Sequence, residues 1–176
     1  MQIRWIPEHQ IDSALHGEIA ALRNACFPDG QHPRSYFKQL PHFRILAFDG
    51  DTLIGHAGVD HRVMNFGGNA YRAFGAIDVC VEVAHRGQGI AGIMMSRLEE
   101  EAVDSGADVM VLVADDHRLY LRLGFQLLDA ECEWMAIDEH RNHGILKESL
   151  AGELMIKPLK SGLELDGPVD WLGYLY

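Results

Sequence analysis

The sequence predicts a mixed α/β (α+β) domain in which an antiparallel meander leads into one parallel crossover. Two tight-turn sequences, Asp49-Gly50-Asp51 and Gly67-Gly68-Asn69, separate three apolar runs between Phe43 and Val83, as adjacent antiparallel strands require. The stretch Asp78 to Leu98 then passes from β-branched apolar residues through His85-Arg86-Gly87-Gln88-Gly89-Ile90-Ala91 into a helical pattern. Val109 to Val113 (VMVLV) is continuously apolar, the pattern of a strand covered on both faces. A strand, helix, strand connection places that run parallel to Ala70 to Val83.

Taken in order, Gln2 to Ile6 reads as a short strand ended by Pro7. Ile11, Leu15, Ile19 and Leu22 recur at spacings of four, four and three, one face of an amphipathic helix that Cys26-Phe27-Pro28-Asp29-Gly30 breaks. In Gln31 to Leu40, Pro33 and Ser35 are placed to open a short second helix and Pro41 to stop it, and such a segment serves either as packing or as a cover over a site. Strands follow at Phe43 to Phe48, Thr52 to about Phe66 and Ala70 to Val83. The helix after the glycine loop carries Ala91, Met94, Met95, Leu98 and Ala102 on one side, with Glu99, Glu100, Glu101 and Asp104 on the other, and Gly106 supplies its C-cap.

Beyond Val113, Asp115-Asp116 opens a short helix with Leu119, Tyr120 and Leu123, and Gly124 ends it before a strand from Phe125. Cys132 to Ile137 and Leu154 to Leu159 read as strands, and His140 to Gly144 as a polar loop. The tail residues Trp171, Leu172, Tyr174 and Tyr176 are too aromatic for a free end, so they are expected to pack on the domain or on a second copy in a homodimer. No repeat or linker interrupts residues 1–176, which predicts a single domain.

Twenty-six acidic against fifteen basic residues give a net charge of −11, which disfavours nucleic acid as a partner and favours cationic small molecules. The three cysteines, Cys26, Cys80 and Cys132, are far apart and odd in number, so neither a disulfide framework nor a CxxC metal site is indicated and a reducing cytoplasm fits. No apolar stretch approaches the ~20 residues that span a bilayer, so no membrane association is expected. His140 with His143, and His56 with His61, lack the supporting ligands of a zinc site, and no metal is expected.

In the central loop, two glycines allow a tight turn and close approach of a ligand. The helix behind them offers unpaired N–H groups and the positive end of its dipole to a phosphate, and Arg86 adds a cation. A glycine turn that merely tightens the strand-to-helix joint would look the same. No GK[ST] follows, against a Walker-type triphosphatase, and a third glycine is missing, against a dinucleotide fingerprint.

Arg86-Gly87-Gln88-Gly89-Ile90-Ala91 resembles the R/Q-x-x-G-x-G/A signature of the GNAT superfamily of acyl-CoA-dependent N-acyltransferases. Leu119-Tyr120-Leu121-Arg122-Leu123-Gly124-Phe125 resembles its second signature, an LYxxxGF element, at the family's usual separation. The resemblance covers Phe43 to Phe125 well and the last fifty residues poorly. It implies a mostly antiparallel central sheet, split around acetyl-CoA, with helices on both faces. The implied activity is direct transfer of an acetyl or other small acyl group from CoA to a primary amine. The Gly68-Asn69-Ala70 turn, the RGQ loop and the Trp-containing tail look somewhat like aminoglycoside 2'-N-acetyltransferases, a pattern that Nod-factor type acyltransferases share in part. A non-catalytic acyl-CoA-binding regulatory module would keep the loop without a working base.

Carried onto this chain, the resemblance implies that the backbone from Arg86 to Ala91 (Arg86, Gly87, Gln88, Gly89, Ile90, Ala91) holds the coenzyme pyrophosphate. Cys80 to Val83 would pair with the pantetheine arm, with the Val81 N–H polarising the thioester carbonyl. Tyr120 would protonate the leaving thiolate, as a phenol with a reference pKa near ~10 can. Asp116 stands where the family offers a further contact to the coenzyme, although this chain departs from the pattern there. Asp78, Cys80 and Glu82 alternate on one strand face, with Val79, Val81 and Val83 on the other, so Glu82 first and Asp78 second are candidates for the base that deprotonates the amine. Cys80 reads as a small core residue rather than an acyl carrier.

Overall fold

The computed structural model describes residues 1–176. They fall into two compact units, Met1–Asp60 with Ala76–Leu98, and His61–Gly75 with Glu99–Tyr176. The sheet is mixed and mostly antiparallel, as the sequence predicts.

In the first unit β1 (Gln2–Pro7) runs antiparallel to β2 (Phe43–Asp49), which runs antiparallel to the first part of β3 (Thr52–Phe66). Pro7 is the last residue of β1 rather than its stop, a position an edge strand tolerates because no ladder donor is lost there. Asp12 caps α1 (Ser13–Cys26), its carboxylate accepting the Leu15 amide at 2.8 Å. The apolar stripe of α1, Ile19 and Leu22, packs with Ile11 against Leu46, Phe48, Leu53 and Cys80.

Ala47, between Leu46 and Phe48, turns to the other face. A Cβ on Gly55 would lie 2.9 Å from the Met94 sulfur and 3.1 Å from the Ala47 Cβ, so α2 (Ile90–Asp104) sits close against β2 and β3 there. Helices α1 and α2 therefore cover opposite faces of the sheet. The end of β4 (Asn69–Val81) completes this unit.

The second unit carries the strand order β6 (Gln126–Leu127), β9 (Leu154–Pro158), β5 (Val109–Val113), β4, β3, β10 (Val169–Tyr174), β7 (Glu131–Asp138), β8 (Arg141–Ser149). β5 (Val109–Val113) is parallel to β4, as the crossover rule requires, over Ala73–Val109 to Gly75–Val111. The ladder ends at Gly75, although β4 runs on to Val81. After α3 (Arg118–Arg122) come β6 (Gln126–Leu127), β7 (Glu131–Asp138), β8 (Arg141–Ser149), β9 (Leu154–Pro158) and β10 (Val169–Tyr174). β10 is antiparallel to β3 and parallel to β7. Trp171 is fully buried, its ring edge-on to Tyr176 at 4.8 Å, so the aromatic tail packs on the chain's own core while Leu172 stays exposed.

Two expectations fail. Gln31 to Leu40 forms no helix. Its backbone is committed to side chains instead: Asn24 exchanges hydrogen bonds with the His32 N–H and C=O, Arg23 donates to the Arg34 carbonyl, and Arg44 donates to that of Ser35. The expected loop His140 to Gly144 lies mostly in β8, which is exposed along its whole length and so lacks the apolar alternation that marks a half-buried strand. Glu139 and His140, both at positive φ, form the hairpin turn into it.

Gly75 is where the backbone of β4 must lie bare: a Cβ there would fall inside the Tyr176 ring. Gly75→Ala is expected to displace that ring and lower stability by about 1–3 kcal/mol, measured as a lower urea midpoint at unchanged m-value.

Candidate functional site

The site is built where β4 ends. Asp78, inside β4, has φ +51°, a conformation that costs most residues about 1–2 kcal/mol and that Asp tolerates better than most. Two buried side chains hold it there, and a third holds one of these two in turn. Arg23, on the apolar stripe of α1 and 3% exposed, donates from Nε and from a terminal nitrogen to Asp78 Oδ2 at 2.8 and 2.7 Å. His56, in β3 and 1% exposed, bonds the Asp78 carbonyl through Nδ1 at 3.1 Å.

Arg44, 1% exposed in β2, donates to His56 Nε2 at 2.9 Å and makes a two-pronged ion pair with Glu8 at 2.7 and 3.0 Å. Because an arginine can only donate and a carbonyl can only accept, His56 carries its proton on Nδ1. Burial, reinforced by the Arg44 charge, pushes its imidazole well below the usual range, so the ring is neutral.

The same strand face then carries Cys80 and Glu82 toward α1, as the alternation predicts. Cys80 belongs to the cluster that packs on Ile19 and Leu22. The Glu82 amide donates to Ile54 of β3 at 2.9 Å, so by alternation the N–H and C=O of Val81 point away from β3. The Val81 carbonyl accepts Arg86 Nε at 3.0 Å and the Cys26 thiol at 3.4 Å. The Glu82 carboxylate bonds His85 Nδ1 at 2.6 Å, and Asp49 lies 3.9 Å from the other ring nitrogen. A cleft of about 490 Å³ runs between α1 and the β2–β3 turn, with Glu18, Asp51 and Glu82 on its walls.

Val83 to His85 form one turn of 3-10 helix, and Arg86 to Gly89 carry the chain into α2 at Ile90. Gly87 and Gly89 have φ +77° and +80°, and no atom lies within 4 Å of where a Cβ would stand on either. Their conformation, not crowding, demands glycine, and the loop opens onto free space at the start of a fifteen-residue helix. The loop therefore fits an anionic ligand such as a diphosphate.

The first unit thus gathers Asp78, Cys80, Val81, Glu82, Val83 and Arg86 to Ala91. Arg23 holds the Asp78 carboxylate in an ion pair, and the charge of Asp78 in turn opposes the burial that lowers the Lys38 ammonium. Tyr120 and Asp116 belong to the second unit. The Tyr120 ring sits edge-on to Phe125 at 5.9 Å, and its backbone carbonyl accepts the amides of Leu123 and Phe125, which explains the Leu-Tyr to Gly-Phe spacing as one closed turn. Asp116 is bonded to Arg118 at 2.6 to 3.2 Å, which holds its carboxyl far below the usual range.

The sequence does not single out Arg23 or Arg44, and it offers His56 only as a metal ligand lacking support. Their signal is a cation at a core position: Arg23 four residues after Ile19 on the apolar stripe, and Arg44 inside the run FRILAF. No group of three or more His, Cys, Asp or Glu side chains is arranged to hold a metal ion. No helix is long and apolar enough to cross a membrane.

The sequence matches the Acetyltransferase (GNAT) domain family over residues 9–128. The solved structures it resembles include the GNAT family N-acetyltransferase YhbS from Escherichia coli in complex with CoA, at TM-score 0.64 and 20% identity over 96% of this chain and 88% of that one. A GNAT family acetyltransferase from Brucella melitensis in complex with acetyl-CoA matches at TM-score 0.60 and 16% identity, over 96% and 94%. Eis1 from Mycobacterium abscessus matches at TM-score 0.64 and 18% identity over 76% of this chain, which spans only 33% of Eis1. No curated protein sequence is significantly similar.

Substitution at Asp78 separates backbone strain from charge. Asp78→Asn and Asp78→Ala both remove the ion pair, but alanine also bears the left-handed conformation, so Asp78→Ala is expected to be less stable than Asp78→Asn by about 1 kcal/mol in urea unfolding.

Proposed function

The chain belongs to the GNAT family of acyl-CoA-dependent N-acetyltransferases, and from that premise we propose that it acetylates the primary amine of a cationic small molecule, an aminoglycoside or a polyamine. The observation that carries this reading is the junction of Val81 with the loop: a strand end whose amide points away from β3, tied through Arg86 to a glycine loop open to a diphosphate. Acetyl-CoA supplies the activated acyl group.

The amides of Gly87 to Ala91, at the positive end of α2, bind the pyrophosphate, and Arg86 adds local positive charge to a chain that is acidic overall. Only such local attraction counts, because charges beyond ~8 Å are largely screened at physiological salt. The backbone of Cys80 to Val83 receives the pantetheine arm, and the Val81 N–H polarises the acyl carbonyl.

Glu82, 44% exposed and not held by an arginine, is the better base for the acceptor ammonium than Asp78. Its bond to His85 keeps the carboxylate oriented. The three carboxylates of the cleft, Glu18, Asp51 and Glu82, together with the net charge of −11, favour a polycationic acceptor. Tyr120 serves as the acid toward the leaving thiolate.

An amine panel assayed for thiol release from acetyl-CoA tests the reading. Polyamines and aminoglycosides are expected to turn over faster than neutral amines. Glu82→Gln and Tyr120→Phe should each lower kcat by about 10²- to 10⁴-fold while acetyl-CoA affinity is unchanged. Binding of CoA with no amine-dependent release would instead mark a regulatory module. In thermal shift, acetyl-CoA and CoA are expected to raise Tm where NAD does not, and stabilisation by ATP alone would overturn the reading.

A further inference from the structure

The short segment that ends at Val81 is pinned at both ends to one neighbouring strand. At its far end the Glu82 amide donates to the Ile54 carbonyl of β3 at 2.9 Å, backbone to backbone. At its near end the partner is a side chain. Two residues further along β3, His56 donates from Nδ1 to the Asp78 carbonyl at 3.1 Å. Only Val79, Cys80 and Val81 lie between the two pins. Because a peptide is planar and trans, the direction of the Asp78 carbonyl also sets that of the Val79 N–H, the first of the three amides that end at Val81.

His56 is itself held without slack. Its Nε2 accepts from Arg44 at 2.9 Å, and Arg44 has every one of its N–H donors placed. Nε and one terminal nitrogen bind Glu8 at 2.7 and 3.0 Å. The remaining hydrogens go to the Ser35 carbonyl at 2.8 Å, the Ser35 hydroxyl at 3.0 Å and His56. A guanidinium so committed cannot swing away, so the imidazole keeps one tautomer and one place for its Nδ1 hydrogen. The Asp78 carboxylate is fixed separately by Arg23, which means that the carbonyl bond and the side-chain bond of Asp78 can be lost independently.

We propose that His56 is a positioning residue for acyl transfer, which through the Asp78 carbonyl aims the Val81 N–H at the oxygen of the thioester. The proposal rests on the reading that Val81 is the donor to that oxygen. His56 is 1% exposed and takes no part in the chemistry itself. Its effect is one of distance: a donor of this kind works at about 2.7–3.1 Å from the developing oxyanion, and a misplacement of ~1 Å costs about 10²-fold in rate. An imidazole suits the task because it presents a donor to Asp78 and an acceptor to Arg44 on one rigid ring.

Two side-chain amides divide the functions of the ring between them. His56→Asn keeps a donor at the place of Nδ1, within reach of the Asp78 carbonyl, and gives up the contact with Arg44. His56→Gln reaches Arg44 with its carbonyl and gives up Asp78. Positioning through Asp78 predicts that His56→Gln lowers kcat by about 10²-fold while CoA, which has no acyl carbonyl, binds within about threefold of wild type. His56→Asn should recover at least about tenfold of that loss. Infrared spectra of bound acetyl-CoA, isotopically labelled at its acyl carbonyl, read the donor directly. The carbonyl stretch should fall on binding to wild type and to His56→Asn, and stay near its free value in His56→Gln. Where the stretch does fall in the wild type, a His56→Gln variant with unchanged kcat, or equal losses in the two variants, overturns the proposal and leaves the role of Val81 standing. A wild-type stretch that does not fall overturns the reading of Val81 as donor, and the role of His56 with it. Should His56→Gln fail to fold, His56→Asn decides alone, since a loss there of both the rate and the lowered stretch overturns the proposal.

Discussion

Everything the first unit presents at the end of β4 depends on a buried chain of hydrogen bonds that begins at Glu8 and ends at Asp78. Arg44 spans Glu8 and His56, His56 holds the Asp78 carbonyl, and Arg23 grips the Asp78 carboxylate from the helix side. Hydrogen bonds to charged groups contribute about 1.5–3 kcal/mol each, enough to offset the cost of a residue at φ +51° inside a strand. The neutral His56 matters as much as the two arginines. A protonated ring could not accept from Arg44, and a third cation among them would have no anion left to pair with.

The same arrangement divides the work among the acidic residues. Glu8 and Asp78 are bound to arginines inside the structure and fix the backbone. Glu18, Asp51 and Glu82 are left to the cleft, where they meet whatever enters it. Two carboxylates that look alike in the sequence, Asp78 and Glu82, thus take different parts because one lies within reach of α1's arginine and the other lies beyond it, next to a histidine.

The sequence makes the meander, the crossover and α2 readable because each is fixed by local chemistry: glycines where the turns need positive φ, β-branched runs between them, and a 3.6-residue pattern from Ile90. The loop from Arg86 to Ala91 was readable for the same reason. Side-chain commitments over long sequence distances were not. Gln31 to Leu40 carries helix punctuation, yet its carbonyls are taken by Arg23, Asn24 and Arg44. β8 owes its conformation to its partner β7 rather than to any pattern of its own. Asp78 looks in the sequence like an open candidate base, because nothing local announces that Arg23, fifty-five positions earlier, will occupy it.

The bond between Arg86 Nε and the Val81 carbonyl joins the loop to the strand end across five residues. In the proposed reading, the anchoring of the diphosphate and the placing of the acyl carbonyl are then parts of one short, stiff gauge. A gauge of this kind selects a donor by the length of the arm between its phosphates and its thioester and is indifferent to what hangs beyond the carbonyl. Discrimination among acyl groups falls to other parts of the chain.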